Sequence, residues 1–132
     1  MTVALDTSAL VAVVFGEPEA EHFAAAMVTH AGDCLISAAT WVEAGIVVEA
    51  RQGEAASQDL QLLIDQIGAE VVPVDTQMAA VALGAWQRFG KGRHPAALNF
   101  GDCFSYALAK VHGTPLLCKG NDFAQTDMSL LI

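Results

Sequence analysis

Short apolar runs, each followed by a longer stretch of helical period, constrain this chain more than any other feature. The first, Thr2-Val3-Ala4-Leu5, stops abruptly at Asp6, and Asp33-Cys34-Leu35-Ile36, Glu70-Val71-Val72-Pro73-Val74 and Pro115-Leu116-Leu117-Cys118 repeat the pattern. Runs of this length suit buried strands and are too short for helices. Between them, three- and four-residue apolar spacing with Ser, Asp and Asn starts and Gly stops predicts helices over residues 9–15, 19–30, 38–52, 54–67, 76–88 and 99–112. Alternating strands and helices predict an α/β fold with a central, mostly parallel β-sheet flanked by helices on both faces. No linker, repeat or low-complexity segment divides residues 1–132, which read as a single domain.

Acidic side chains fall at four telling places in this pattern. Asp6 ends the first strand, at the edge where open parallel sheets take their ligands, and Thr7 or Ser8 can cap the helix that follows. Asp122, in Lys119-Gly120-Asn121-Asp122-Phe123, repeats that placement after the last strand. Asp102 lies in the first turn of a helix capped by Asn99, where the helix dipole favours an ionised carboxylate. Glu43 shares a helical face with Ala39, Ile46 and Val47, and a carboxylate on an apolar face must be paired, protonated or metal-bound. Taken singly, Asp6 and Asp102 read equally as ordinary capping acids. If the sheet topology gathers all four, their repulsion demands protons or cations. Hard oxygen donors without neighbouring His or Cys select Mg2+ or Mn2+, and such a site suits phosphodiester hydrolysis by an activated water. Ser8 is placed to orient the Asp6 carboxylate.

A net charge of −9 argues against a polyanionic partner, but three of the six basic residues, Arg88, Lys91 and Arg93, lie together just before His94. That segment can meet phosphates, or be a solvated loop. With 54% hydrophobic and only 16% charged residues, part of the apolar surface is expected to be covered by another subunit or a partner. Trp41 and Trp86 read as core or interface. Cys34, Cys103 and Cys118 are odd in number and form no CxxC pair, so reduced thiols are expected. No apolar run approaches the roughly 18 residues of a membrane span. Met1-Thr2-Val3 lacks the basic start of a signal peptide, so the chain reads as cytoplasmic with no membrane partner.

Asp6-Thr7-Ser8, the helical Glu43, Asn99-Phe100-Gly101-Asp102-Cys103-Phe104-Ser105-Tyr106-Ala107-Leu108-Ala109, and Gly120-Asn121-Asp122-Phe123 before Thr126-Asp127 together resemble the motifs of PIN-domain ribonucleases of the VapC toxin type. The resemblance covers nearly the whole chain in the same order. It implies a Mg2+-dependent endoribonuclease, with Mn2+ as a substitute, that cleaves tRNA or rRNA as the toxin of a toxin–antitoxin pair. It further implies a cognate antitoxin, a homodimer or a higher hetero-oligomer with the antitoxin, and operator DNA bound only through the antitoxin. Carried over residue by residue, Asp6, Glu43 and Asp102 are metal-binding and catalytic acids. The fourth position falls to Asp122, with Asn121 and Asp127 as alternatives. Arg88, Lys91 and Arg93 become candidates for steering the RNA backbone. The competing expectation is a catalytically weak binding and regulatory module acting through antitoxin pairing and operator occupancy. A phosphohydrolase of small substrates is disfavoured because no GxxxxGK loop occurs.

Overall fold

The computed structural model describes residues 1–131. Among them, β1 (Val3–Leu5), β2 (Cys34–Ser37), β3 (Glu70–Val72) and β4 (Leu116–Leu117) form one parallel sheet in the order β3-β2-β1-β4. α1 (Thr7–Phe15) and α2 (Ala20–Thr29) follow β1, α3 (Ala38–Gln52) and α4 (Glu54–Gln66) follow β2, and α5 (Thr76–Phe89) and α6 (Phe100–His112) follow β3. The α/β expectation therefore holds. The strands are shorter than the apolar runs for a local reason. Pro73 has no N–H to give a ladder and ends β3, while Pro115 precedes β4 and only its carbonyl is used, by Ala4 N–H at 3.0 Å.

Alternation along the strands divides the interior in two. Val3, Leu5, Cys34, Ile36 and Leu117 face a core built with α1 to α4, whereas Ala4 and Leu116 face a second core built with α5 and α6. Met78 is part of the second. Both faces of the sheet are thus covered, as near-continuous apolar strands require.

Strand order also fixes where a ligand can bind. From β1 the chain moves outward through β2 to β3 and then returns to place β4 on the other side of β1. Connections leave β1 in opposite senses, and the crevice beyond the C-terminal ends of β1 and β4 is the topological switch point of the sheet. Asp6 stands at the end of β1, and its N–H donates to Leu117 O of β4 at 3.0 Å. Among the described residues no helix is long and apolar enough to cross a membrane.

Candidate active site

Asp6 is only 4% exposed and is fixed from two sides. Its Oδ2 accepts from Ser8 N–H at 3.0 Å and from Ser8 Oγ at 2.6 Å, and its Oδ1 accepts from Ser105 Oγ of α6 at 2.6 Å. Helix α1 begins at Thr7, so Asp6 itself is the cap, and Thr7 and Ser8 are not. Capping needs a short acceptor at that position, and Ser8 is left to support the carboxylate. Ser8 Oγ in turn accepts from Lys119 N–H at 2.8 Å, which joins the end of β4 to the end of β1. The Lys119 ammonium pairs with Glu17 at 3.1 Å and Glu19 at 2.8 Å, so the same residue also ties down the connection between α1 and α2.

Glu43 does not lie on the fully buried stripe of α3. That stripe is Thr40, Ala44 and Val48, and Ile46, expected to share the face of Glu43, is 64% exposed. Half-buried on the shoulder of the stripe, Glu43 meets the starts of two other helices. Thr7 Oγ1 of α1 donates to its Oε1 at 2.5 Å, and a Cβ added at Gly101 of α6 would collide with its carboxylate. Gly101 is thus the residue that lets the start of α6 pass this close to an acid on α3.

Asp102 completes the junction. Asn99 Oδ1 accepts from Asp102 N–H at 2.9 Å and Asp102 Oδ2 accepts from Asn99 N–H at 3.0 Å, a reciprocal capping box. Burial pushes the Asp102 carboxyl up to about 6 against the lowering pull of the Asn99 N–H, and the charges of Asp6, Glu43 and Asp122 add to the rise. The Cys118 thiol, at the end of β4, is pushed up to about 12 by burial and then by Asp6, Asp102 and Asp122. Asp6 and Asp122 act on both groups, and Glu43 acts on Asp102.

The remaining sequence candidates separate. Asp122 and Asn121 are both exposed in the segment after β4, where Asp122 precedes a 3-10 turn at Phe123–Gln125 and adds to the field on Asp102. Asp127 is drawn elsewhere. It accepts from Tyr106 Oη at 2.6 Å and pairs with Lys110 at 3.1 Å and Arg88 at 3.5 Å, contacts that bind the C-terminal segment to α5 and α6. Arg88 is therefore occupied with Asp127 and lies over the Phe89 ring. Lys91 is exposed; Arg93 stacks over the Trp86 ring at 4.8 Å and its Nε donates to Gln87 O at 3.2 Å. His94, which the sequence placed with the basic loop, is half-buried, and its Nδ1 accepts from Ala96 N–H at 3.0 Å. Trp41 and Trp86 are 43% and 40% exposed, so neither is core.

Thr7, Thr40, Gly101 and Ser105 surround the acids but are given no role at the site by the sequence reading. Ser105 follows Asp102 by three residues and Thr40 precedes Glu43 by three, so helical spacing alone places each one turn from an acid. The donor set consists of carboxylates, and the nearby Cys118 is held as a thiol, which fits a hard divalent cation better than zinc. Among the described residues no group of three or more acidic, His or Cys side chains is close enough together to hold a metal ion.

The PIN-domain family model matches residues 3–128. Ribonuclease VapC30 of Mycobacterium tuberculosis is 47% identical over 126 residues, covering 95% of each chain. Among solved structures, VapC20 of Mycobacterium tuberculosis, a toxin that cleaves the sarcin-ricin loop, superposes with a TM-score of 0.81 at 15% identity, covering 98% of each chain. VapBC2 of Rickettsia felis, bound to a DNA fragment from its promoter, gives 0.79 at 13% identity over 100% of this chain and 98% of that one. The four-stranded parallel sheet, its switch-point acids and this identity over nearly the full length agree: the chain belongs to the VapC ribonucleases of the PIN-domain family.

Proposed function

We propose that this protein is a Mg2+-dependent endoribonuclease, with Mn2+ able to substitute, and that Asp6, Glu43, Asp102 and Asp122 hold the ion. The observation that carries the reading is the meeting of three acids at the sheet's switch point: Glu43 is bonded by Thr7, next to Asp6, and lies against Gly101, next to Asp102. When bound there, a divalent cation acidifies an attacking water and offsets charge on the phosphodiester oxygens. The chain's own residues set the geometry. Ser8 and Ser105 hold Asp6 so that Oδ1 accepts one bond and keeps one lone pair. Thr7 fixes Glu43 through Oε1 and leaves Oε2 for the ion or the attacking water. Half-buried Asp102 and exposed Asp122 would supply the remaining carboxylate oxygens. Asn121 stays a polar neighbour, and Asp127, engaged by Tyr106, Lys110 and Arg88, is not a ligand.

Lys91 and Arg93 are proposed to meet the RNA backbone, because phosphate contacts need exposed cations and both are exposed. Arg88, spent on Asp127, is not assigned that role. Relatives named as ribonucleases, a neighbour named for cleaving the sarcin-ricin loop and neighbours named as toxin–antitoxin complexes support an RNA substrate and an antitoxin partner, and the pair solved with promoter DNA supports operator binding by the complex. Exposed Leu83, Trp86 and Phe100 supply apolar surface for a homodimer or for the antitoxin. The reading places the protein in the cytoplasm with its RNA.

The test is incubation of purified, antitoxin-free protein with total bacterial RNA and Mg2+ or Mn2+, beside Asp6→Asn and a chelated control, followed by mapping of new RNA ends. Discrete ends made only by wild type with metal are expected. No ends from folded, metal-supplied protein would overturn the nuclease and leave a binding and regulatory module.

A further inference from the structure

Between the sheet and the acids lie two hydroxyls that neither the capping of helices nor the ligand set explains. Thr40 and Ser105 are both 0% exposed. Ser105 Oγ donates to Asp6 Oδ1 at 2.6 Å, across 99 residues of sequence, and lies 3.3 Å from Thr40 Oγ1. A serine hydroxyl has one proton, and here it is given to the carboxylate. In the Thr40–Ser105 contact Thr40 must therefore be the donor, which orders the pair as Thr40 to Ser105 to Asp6. Burying two hydroxyls is unfavourable unless each is bonded, and a position that needed only packing would hold Ala or Val.

Their positions give the pair its meaning. Thr40 is one turn before Glu43 on α3, and Ser105 is one turn after Asp102 on α6, while Asp6 ends β1. The chain of bonds thus links the three elements that carry Asp6, Glu43 and Asp102, one layer beneath the carboxylates. We propose that Thr40 and Ser105 are positioning residues, a buried hydroxyl brace that sets the spacing of the three acids and fixes Asp6 as a one-oxygen ligand. The brace rests on the metal-dependent reading above and adds to it the residues that determine ion affinity. Of the lone pairs on the Asp6 carboxylate, Ser8 takes two on Oδ2 and Ser105 one on Oδ1, which leaves a single site for a cation. Loss of the Ser105 proton lets the carboxylate turn and offer either oxygen. Loss of the Thr40 proton lets Ser105 turn away from Asp6. Outer partners of this kind change metal affinity by about 10- to 100-fold.

The experiment measures Mn2+ binding directly, by electron paramagnetic resonance of free Mn2+ in titrations without RNA. It uses wild type, Ser105→Ala and the shape-conserving Thr40→Val, with cleavage rate against Mn2+ concentration as the second readout. Expected are at least tenfold weaker Mn2+ binding in Ser105→Ala, a smaller loss of several-fold in Thr40→Val, and cleavage in both that recovers toward wild type at saturating Mn2+. Ser105→Thr, which restores the hydroxyl, is expected to regain part of the affinity lost in Ser105→Ala. Unchanged Mn2+ affinity in folded Ser105→Ala and Thr40→Val overturns the brace, as does a cleavage defect that excess Mn2+ leaves untouched. If Ser105→Ala does not fold, Thr40→Val decides alone. A wild type that binds no Mn2+ overturns the metal-dependent reading and the brace with it, an outcome distinct from equal binding by wild type and variants.

Discussion

Removing the charge of Asp102 is expected to stabilise the metal-free protein while abolishing cleavage. Burial, with the fields of Asp6, Glu43 and Asp122, moves this carboxyl from 3.8 to about 6. At 1.36 kcal/mol per unit the difference corresponds to about 3 kcal/mol, and since the group is partly exposed, solvent screening reduces it to roughly 1–2 kcal/mol. Because the folded state binds its proton more tightly than the unfolded state, stability from this group is present at low pH and is lost as pH rises through the window from about 4 to 6. Asn at the same position keeps an oxygen acceptor for Asn99 N–H and carries no charge, so the capping box survives. In chelator at pH 7, Asp102→Asn should therefore melt roughly 4–7 °C above wild type for a domain of this size. Near pH 4 the advantage should shrink to a few tenths of a kcal/mol. Thermal unfolding followed by circular dichroism at both pH values reads the effect. A variant less stable than wild type at pH 7, or one whose advantage is the same at both pH values, would refute the claim that burial and the neighbouring acids disfavour the Asp102 charge.

Four further variants separate the roles assigned above. Gly101→Ala should leave thermal stability unchanged or raise it by up to about 1 kcal/mol, since Ala favours a helix and only the flexible end of Glu43 must move, yet cut RNA cleavage at least tenfold by displacing that carboxylate. Calorimetry and a cleavage assay on one preparation check both halves. Asp127→Asn should cost about 1 kcal/mol and leave cleavage intact, whereas Asp122→Asn should lower cleavage. Although burial alone would raise Asp127, its bonds to Tyr106 and Lys110 and the Arg88 charge lower it, so its contribution is present above about pH 4 and fades in acid. Lys91→Ala with Arg93→Ala should raise KM for RNA several-fold and flatten its salt dependence with kcat little changed, as titration at two salt concentrations would reveal.

The order of elements, both layers and the end of each helix were legible because periodicity, Ser, Asp and Asn caps and Gly stops are local properties of the chain. Ser37 caps α3 as expected, Asp75 rather than Thr76 caps α5, and Gly113 ends α6 with φ 62. The acids were legible as a pattern for the same reason, since strand ends and helix starts can be found without knowing what they face. What could not be read was which neighbour each side chain takes across the chain. Asp127 and Asp122 lie five residues apart, yet Tyr106 and two cations claim the first, and the field on Asp102 includes the second. Glu43 was placed on the buried face because Val47 and Ile46 flank it at helical spacing. The packing of α3 against α1 and α6 instead turns Thr40, Ala44 and Val48 inward. Ser105 bonds a residue 99 positions away, and no local signal carries that distance.

Capping and catalysis are not rival explanations of Asp6 and Asp102 in this fold. A parallel sheet whose crossover helices return antiparallel to the strands sends helix N-termini to the edge where its strands end. Helices α1 and α3 start directly after β1 and β2, and α6 starts beside Glu43. Each N-terminus brings unpaired N–H groups and about half a positive charge to that edge. Asp6 satisfies the first of these starts and Asp102 the third, so the N–H groups that need acceptors are supplied by the same carboxylates that need compensating charge. That reciprocity lets several acids converge at one edge, and it leaves half-buried Asp102, bonded to one N–H and facing three other acids, with a carboxyl raised first by burial and then by their charges. A divalent cation held by these acids would add the charge compensation that the helix ends do not supply. The architecture that makes these residues look like ordinary caps is therefore what makes the site affordable.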